Sequence, residues 1–361
     1  MFLIMQYTTH FLSLCVAFIW VLIAAPAVRA LAVKIGLTDQ PNARKVHHQP
    51  VPLVGGILIF GATLFSLLIQ VAAVNNRSTM YVFFVGSLMM LVTGVIDDRL
   101  DVRASYKLAI QIALAWFVYS SGIQINSLYG LMGIYTIPVF AQGILTMVVI
   151  IGVVNAFNLT DGIDGLAGGL AILGLITYCC LSVYLGKYEL LNFFLALLGA
   201  IAGFLRFNFS KAQKIFMGDA GSLVLGFILV VSGIILLQAS EGTAYVSTTA
   251  ATVVGVLALP VIDSLRVYRG RIKAGYSPFR ADRTHFHHLV LSLGVKHKTA
   301  TTLILGIALF ILVIAFILGS LFSFTCTIVT LLLFFALTTS VLQLNMAVTT
   351  WRQKIKELEE C

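Results

Sequence analysis

Charge is what this chain has least of. Asp, Glu, Lys and Arg make up 10% of its 361 residues against 60% hydrophobic ones, and the mean hydropathy is +1.01. Soluble globular chains carry roughly 25% charged residues, so a water-soluble fold is excluded. Cysteine chemistry is thin as well. Cys15, Cys179, Cys180, Cys326 and Cys361 form no CxxC pair and fall mostly in apolar runs, which argues against a disulfide framework and against a thiolate zinc site. Cys361 is not expected to carry a prenyl group, since a prenylation box needs three residues after its cysteine. No Lys or Arg precedes Arg29. The first apolar run therefore lacks the basic start of a signal peptide and is expected to remain a membrane helix. Internal repeats and low-complexity tracts are absent too.

What the chain has is apolar runs long enough to cross a bilayer, at about 10–29, 51–73, 80–96, 106–121, 137–154, 166–186, 190–205, 220–239, 247–264, 301–319 and 325–347. The expected fold is all-α: a polytopic integral membrane protein of about eleven transmembrane helices, one domain over 1–361. The least distinct division is at Gly186–Glu189. All but Arg77 and Lys187 of the 23 Lys and Arg fall in loops on one side, so the positive-inside rule puts the N-terminus out and the C-terminus in the cytoplasm. All but Glu189 and Glu241 of the 14 acids, and all histidines but His10, share that side. The opposite loops are short and bland. The working face is therefore cytoplasmic, with active loops at about 30–50, 97–105, 155–165, 206–219 and 265–300.

The stretch Asn155-Ala-Phe-Asn-Leu-Thr-Asp-Gly-Ile-Asp-Gly165 puts Asp161 and Asp164 at a membrane boundary with no Lys or Arg nearby in sequence. Ionised groups at that depth are costly and usually functional. On a helix, Asn155, Asn158, Asp161 and Asp164 make a stripe of oxygen donors; Gly162 and Gly165 make an irregular, close-approach backbone an equal alternative. Oxygen donors of this kind suit Mg²⁺. A plain helix cap needs one such residue rather than four.

The other cytoplasmic loops repeat the theme. Residues 39–56 offer Arg44, Lys45, His47 and His48 on a segment whose prolines and closing glycine pair oppose a regular helix. In Val95-Ile-Asp-Asp-Arg-Leu-Asp101, Asp97 and Asp101 share a helical face, and pairing with Arg99, Arg103 and Lys107 accounts for Asp101 better than for the doublet Asp97–Asp98. Asp219 lies between Gly218 and Gly221 at the start of an apolar run. It is a ligand-facing carboxylate beside helix N–H groups open to phosphate, or a plain N-cap. Arg266, Arg269 and Lys273 share one face of an expected short amphipathic helix ended by Gly275 and Pro278. Beyond it, Asp282-Arg-Thr-His-Phe-His-His288 puts His285 and His288 at i, i+3. Zinc needs further ligands that are not evident nearby, so phosphate contact or proton handling is the reading.

Taken in order and on one side of the membrane, DQPNARKVH…PLVGG, VIDDRLD, NAFNLTDGIDGLAGG, FMGDAGS and RTHFHH resemble the polyprenyl-phosphate N-acetylhexosamine-1-phosphate transferases over nearly the whole chain. The branch with HFHH is that of the bacterial undecaprenyl-phosphate GlcNAc-1-phosphate transferases, which prime O-antigen and related polymers; the MurNAc-pentapeptide branch has three consecutive histidines there. CDP-alcohol phosphotransferases need DGxxAR, which the sequence after Asp161-Gly162 does not supply. The resemblance implies a bacterial inner-membrane enzyme joining UDP-GlcNAc to undecaprenyl phosphate with Mg²⁺, or Mn²⁺, as cofactor. It implies Asp219 and then Asn158 as metal ligands, and Asp97, Asp98 and Asp161 as catalytic acids. Lys45, Asn208 and Asp164 become nucleotide contacts, Asp164 to uracil, while Arg283, His285, His287 and His288 hold phosphate. UDP-GalNAc and UDP-MurNAc-pentapeptide are alternative donors. A transporter or flippase is the rival class, though its charges belong near the midplane, often with paired repeats. Nucleic acid is no partner; membrane lipid is. The oligomeric state stays open, a homodimer among the options.

Overall fold

The structure, a computed structural model, describes residues 2–40, 49–69, 77–278 and 284–359. Each apolar run forms a helix: α1 (Phe2–Ile35), α2 (Gly55–Ile69), α3 (Arg77–Leu100), α4 (Ala104–Ser120), α5 (Val139–Asn158), α6 (Leu166–Tyr184), α7 (Leu191–Asn208), α8 (Gly218–Ser240) and α9 (Val246–Lys273), then, after the one-and-a-half-turn α10 (Phe286–Leu291), α11 (His297–Leu321) and α12 (Phe324–Glu359). The division near Gly186 is real: α6 ends there and a 3₁₀ turn at Tyr188–Leu190 leads into α7. Among the described residues, nine helices are long and apolar enough to cross a membrane. α2 and α4, at 15 and 17 residues, are shorter than the roughly 20 that a 30 Å hydrocarbon core asks of an untilted helix.

Position in the bundle follows from side-chain pattern. α8 is apolar all round, and a helix of that kind belongs inside; almost every residue of its span is buried, with α2, α3, α5, α6 and α9 packed about it. α1, α11 and α12 bury only about a fifth of theirs and lie outermost. Where α2 and α3 cross the start of α8, glycine permits backbone contact, as at many membrane helix crossings. A Cβ on Gly94 would lie 2.2 Å from Ala220 Cα, and one on Gly56 would lie 2.4 Å from the Gly221 nitrogen. The glycine pair expected to close an irregular loop therefore opens α2, because only glycine lets that helix start against α8.

Alternating chain direction gathers the C-terminal ends of α3, α5, α7 and α9 with the N-terminal ends of α4, α6, α8 and α11. At this end β1 (Thr38–Asp39) pairs antiparallel with β2 (Val51–Pro52), and Phe216 N donates to Pro52 O at 2.9 Å while Gly55 N donates to Phe216 O at 2.9 Å. Residues 37–39 and 51–53 are thus fixed against the strand-like approach to α8. Lys45, Arg44, His47 and His48 themselves lie outside the described residues, as does Arg283. At the opposite end, β3 (Ser127–Leu131) and β4 (Ile134–Thr136) form a hairpin tied to the end of α8, where Glu241 accepts from Asn126 Nδ2 at 3.0 Å and Tyr129 Oη at 3.2 Å. One expectation fails here: Arg266, Arg269 and Lys273 form the last turns of α9, not a separate amphipathic helix, because nothing stops the helix before Gly275 (φ +76°).

Candidate active site

The converging helix ends enclose a cleft of about 880 Å³, near the top of the range of roughly 300–1,000 Å³ for small-molecule sites. Its lining is unusually acidic. Asp39, Asp97, Asp98, Asp101, Asp161, Asp164 and Asp219 all face it, together with Asn158, Asn208, His288 and His297, and Lys214 is the single Lys or Arg among the described lining residues.

The doublet on α3 divides its labour. Asp97 is buried and accepts from Val102 N at 2.9 Å and from Lys107 Nζ at 2.6 Å; Lys107 also lies 3.8 Å from Asp219 Oδ2. Asp98 instead spends both oxygens on the start of α8, with Asp219 N donating to Oδ1 at 2.8 Å and Ala220 N to Oδ2 at 3.3 Å. The first N–H groups of a helix lack intrahelical partners, and a carboxylate there also meets the positive end of the helix dipole. Asp98 is thus an N-cap supplied by another helix. Gly218 (φ +71°) makes room for it, since a Cβ there would lie 2.5 Å from Asp98 Oδ2. Two expectations are corrected together. Asp219 is not its own helix's cap, and two of the N–H groups at the helix start, those of Asp219 and Ala220, are taken by Asp98 rather than open to phosphate. The Asp219 carboxylate is left turned toward the cleft.

Across from it, α5 ends at Asn158, and residues 159–165 form turns, with Gly165 at φ +76°. Of the two backbones open for this stretch, the irregular one is adopted. Asn155 stays in the bundle, exchanging hydrogen bonds with Gln111 of α4. Asn158 Nδ2 donates to Ser222 Oγ at 2.9 Å, one turn beyond Asp219. Asn208 is buried and fully engaged, accepting from Gly165 N at 2.8 Å and donating to Ile215 O at 2.9 Å, so it staples the 159–165 turn to the approach to α8. The sequence offered Asp164 no neighbouring cation, but the fold supplies one: Lys214 Nζ donates to it at 2.5 Å. Asp161 is different. Among the described residues it has no hydrogen-bond or ion-pair partner, and burial, reinforced by the charges of Asp98 and Asp164, pushes its carboxyl up to about 7.

The histidine segment divides as well. His288 lines the cleft, joined by His297 from the first turn of α11. His287 is buried with its ring on the 159–165 turn, where a Cβ on Gly162 would lie 2.2 Å from Nε2. Burial, with its neighbouring histidines, pushes it down to about 3, so it stays uncharged. His285 is buried away from the cleft, its Nδ1 3.0 Å from Asp263 Oδ2. Sequence reading singled out neither Asp263 nor His297. An acid at the end of an apolar run was the available signal for Asp263, whereas His297 had none beyond its side of the membrane.

The donor set suits a hard cation. Asp219, Asp161 and the amide oxygen of Asn158 are oxygen donors, and an unpartnered carboxylate in so enclosed a place asks for positive charge. Among the described residues, no three His, Cys, Asp or Glu side chains are grouped as a metal cage.

Comparison with known proteins gives the arrangement relatives. Residues 80–237 match Glycosyl transferase family 4. The chain is 32% identical over 316 residues to a probable undecaprenyl-phosphate N-acetylglucosaminyl 1-phosphate transferase of Bacillus subtilis (strain 168), covering 84% of each protein. It is 33% identical over 282 residues to the undecaprenyl-phosphate alpha-N-acetylglucosaminyl 1-phosphate transferase of Yersinia pestis, covering 76% of this chain and 75% of that one. Its identity to the Escherichia coli (strain K12) protein of the same description is 32% over 281 residues.

Proposed function

The chain belongs to glycosyl transferase family 4, and on that premise we propose that it transfers GlcNAc-1-phosphate from UDP-GlcNAc to undecaprenyl phosphate, yielding undecaprenyl-diphosphate-GlcNAc and UMP. In this reading the enzyme lies in the bacterial inner membrane with its cleft on the cytoplasmic face, a side supported by the positive charge of the loops there. One observation carries the reading: a cleft at a membrane boundary, lined by seven aspartates against one lysine among its described residues, with Asp161 unpartnered. Such a site is built for a divalent cation and the phosphates that accompany it. Asp219 and Asn158, with Asp161 nearby, would hold Mg²⁺ or Mn²⁺, which would supply positive charge against the diphosphate and the departing UMP.

The protein's own groups then position the reactants. Asp98 fixes the first turn of α8 and hence Asp219. Lys107 holds Asp97 and stands between it and Asp219. Asp164, oriented by Lys214 and through the Asn208 staple, faces the nucleotide. His288 and His297 meet phosphate oxygens at the rim. A phosphate monoester has a second pKa near 6, so the lipid phosphate arrives largely dianionic and needs no base. Its oxygen attacks the β-phosphorus in line, the bond from that phosphorus to the bridging oxygen breaks, and UMP leaves with the electron pair.

Purified protein given UDP-[³H]GlcNAc, undecaprenyl phosphate and Mg²⁺ should move label into the organic phase with one UMP per transfer. No transfer under those conditions would overturn the assignment. Full turnover in EDTA would overturn the metal. Competition by unlabelled UDP-GalNAc or UDP-MurNAc-pentapeptide decides the donor. For the direct route, labelled UMP should not exchange into UDP-GlcNAc in protein stripped of lipid phosphate. Rapid exchange there, lost in one aspartate variant, would instead reveal a covalent intermediate and its nucleophile.

A further inference from the structure

Near the end of α9 lies a polar cluster that the reaction as described does not use. Asp263 is 4% exposed, in a stretch otherwise apolar toward its N-terminal side. Its Oδ2 accepts from Phe286 N at 3.0 Å and faces His285 Nδ1 at 3.0 Å. Its Oδ1 accepts from Arg266 at 2.6 Å, one turn along the same helix. The same guanidinium donates to Thr284 O at 2.5 Å. Two residues of α9 therefore grip both the carbonyl and the N–H of the short segment 284–286. A charge left without these partners at such burial is strongly disfavoured, so the segment is held where the carboxylate needs it.

What the grip holds is the base of α10. His285 occupies the N-cap position, with extended backbone (φ −61°, ψ 156°), and two of the side chains that follow it, at 287 and 288, reach the cleft region. His287 packs on Gly162 between Asp161 and Asp164 in the chain, and its ring centroid is 4.2 Å from that of His288, which lines the cleft. In a helix so short, rotation at the cap swings every following side chain. We propose that Asp263, with Arg266 and His285, is a positioning clamp: it sets the orientation of α10 and so places His288 toward the substrate phosphates. The three residues act through His288 and touch no reacting atom. This rests on the reading above that His288 meets phosphate.

A double-mutant cycle on the purified full chain tests it, using the UDP-[³H]GlcNAc transfer assay. His288→Ala should lower kcat, as loss of a group acting in the transition state does. Asp263→Asn removes the charge shared by Arg266 and His285 and should lower kcat at least about tenfold, with less than about a threefold change in KM for UDP-GlcNAc. Asp263→Glu should recover part of the loss. The decisive reading is the double variant Asp263→Asn/His288→Ala, which should be no slower than the worse single, because coupled residues do not add. Losses that multiply, or an Asp263→Asn enzyme as fast as the parent, would overturn the clamp. Should Asp263→Asn fail to fold, Arg266→Lys, which keeps the charge but loses the fork to Thr284, takes its place in the cycle, and non-additive or multiplying losses decide in the same way. If His288→Ala alone leaves kcat unchanged, the phosphate role of His288 fails instead, and the clamp as proposed falls with it; failure of transfer in the parent protein would be seen before any variant is made.

Discussion

Two aspartates on opposite walls of the cleft carry opposite chemical commitments. Asp98 has both oxygens engaged by N–H groups of α8, whereas Asp161 has none engaged among the described residues. Asp98→Asn keeps one acceptor for Asp219 N and turns an amide N–H₂ toward Ala220 N. Turnover should fall at least about tenfold while UDP-GlcNAc binding, measured by calorimetry, changes little, since misplacing Asp219 acts mainly in the transition state; an equal loss in both would speak against the capping role. For Asp161 the consequence is a pH dependence. Its carboxyl moves from 3.8 to about 7 on folding, so the folded chain holds that proton more tightly than the unfolded one. The contribution to stability is full below pH 3.8 and is lost as pH rises through about 7. At about 1.4 kcal/mol per pKa unit, the amount is on the order of a few kcal/mol. In EDTA, the melting temperature of detergent-purified protein should decline as pH rises from 3.8 through about 7. Asp161→Asn should flatten that decline, and an unchanged slope would refute the assignment. His287, pushed down from 6.5 to about 3, works the other way: its contribution to instability is nil above pH 6.5 and grows toward pH 3.

At the scale of helices, each hydrophobic run marked a helix, because the bilayer enforces backbone pairing within an apolar segment. Run length overstated the spans, however: among the described residues nine helices, not eleven, are long and apolar enough to cross a membrane. Where helices stop was not legible. α9 continues to Lys273 past its apolar run, and α5 yields to turns at Leu159 although its polar stripe would suit a longer helix. Those boundaries are set by contacts between elements. The same holds for the site: motifs marked Asp97, Asp98, Asp161, Asp164 and Asp219, but pairings such as Lys214 with Asp164, or Asp98 with the α8 N-terminus, join residues 50 and 121 positions apart. No local pattern reveals such partners. The close crossings were not legible either, since the glycines alone do not say which element comes close: Gly94 lies against Ala220 and Gly218 against Asp98. Gly94→Val should therefore cost stability and activity together. Its side chain would meet Ala220 backbone and force α3 from α8; overpacking of this kind costs about 1–3 kcal/mol. The melting temperature and kcat should both fall, whereas a Val variant as stable and as fast as the parent would contradict the close crossing.

Over the whole molecule, the two ends differ in kind. One gathers the aspartate cleft and nearly all the basic residues; the other carries the β3–β4 hairpin, held by Glu241 and by Thr325 at the start of α12, whose Oγ1 accepts from Met132 N at 2.7 Å. Cys326, the next residue, is exposed and so marks the hairpin end. α12 then runs away from it through an apolar stretch toward the terminal Arg352, Lys354 and Lys356, beyond which lies Cys361. Positive residues resist translocation, and the orientation proposed above accordingly puts the basic end in the cytoplasm. The two cysteines make a paired test of that orientation. In single-cysteine variants on intact cells, an impermeant maleimide should label Cys326 and spare Cys361, and permeabilisation should expose Cys361. Labelling of Cys361 before permeabilisation, with Cys326 protected, would turn the molecule over and place the cleft, with every residue in it, on the side that nucleotide sugars do not reach.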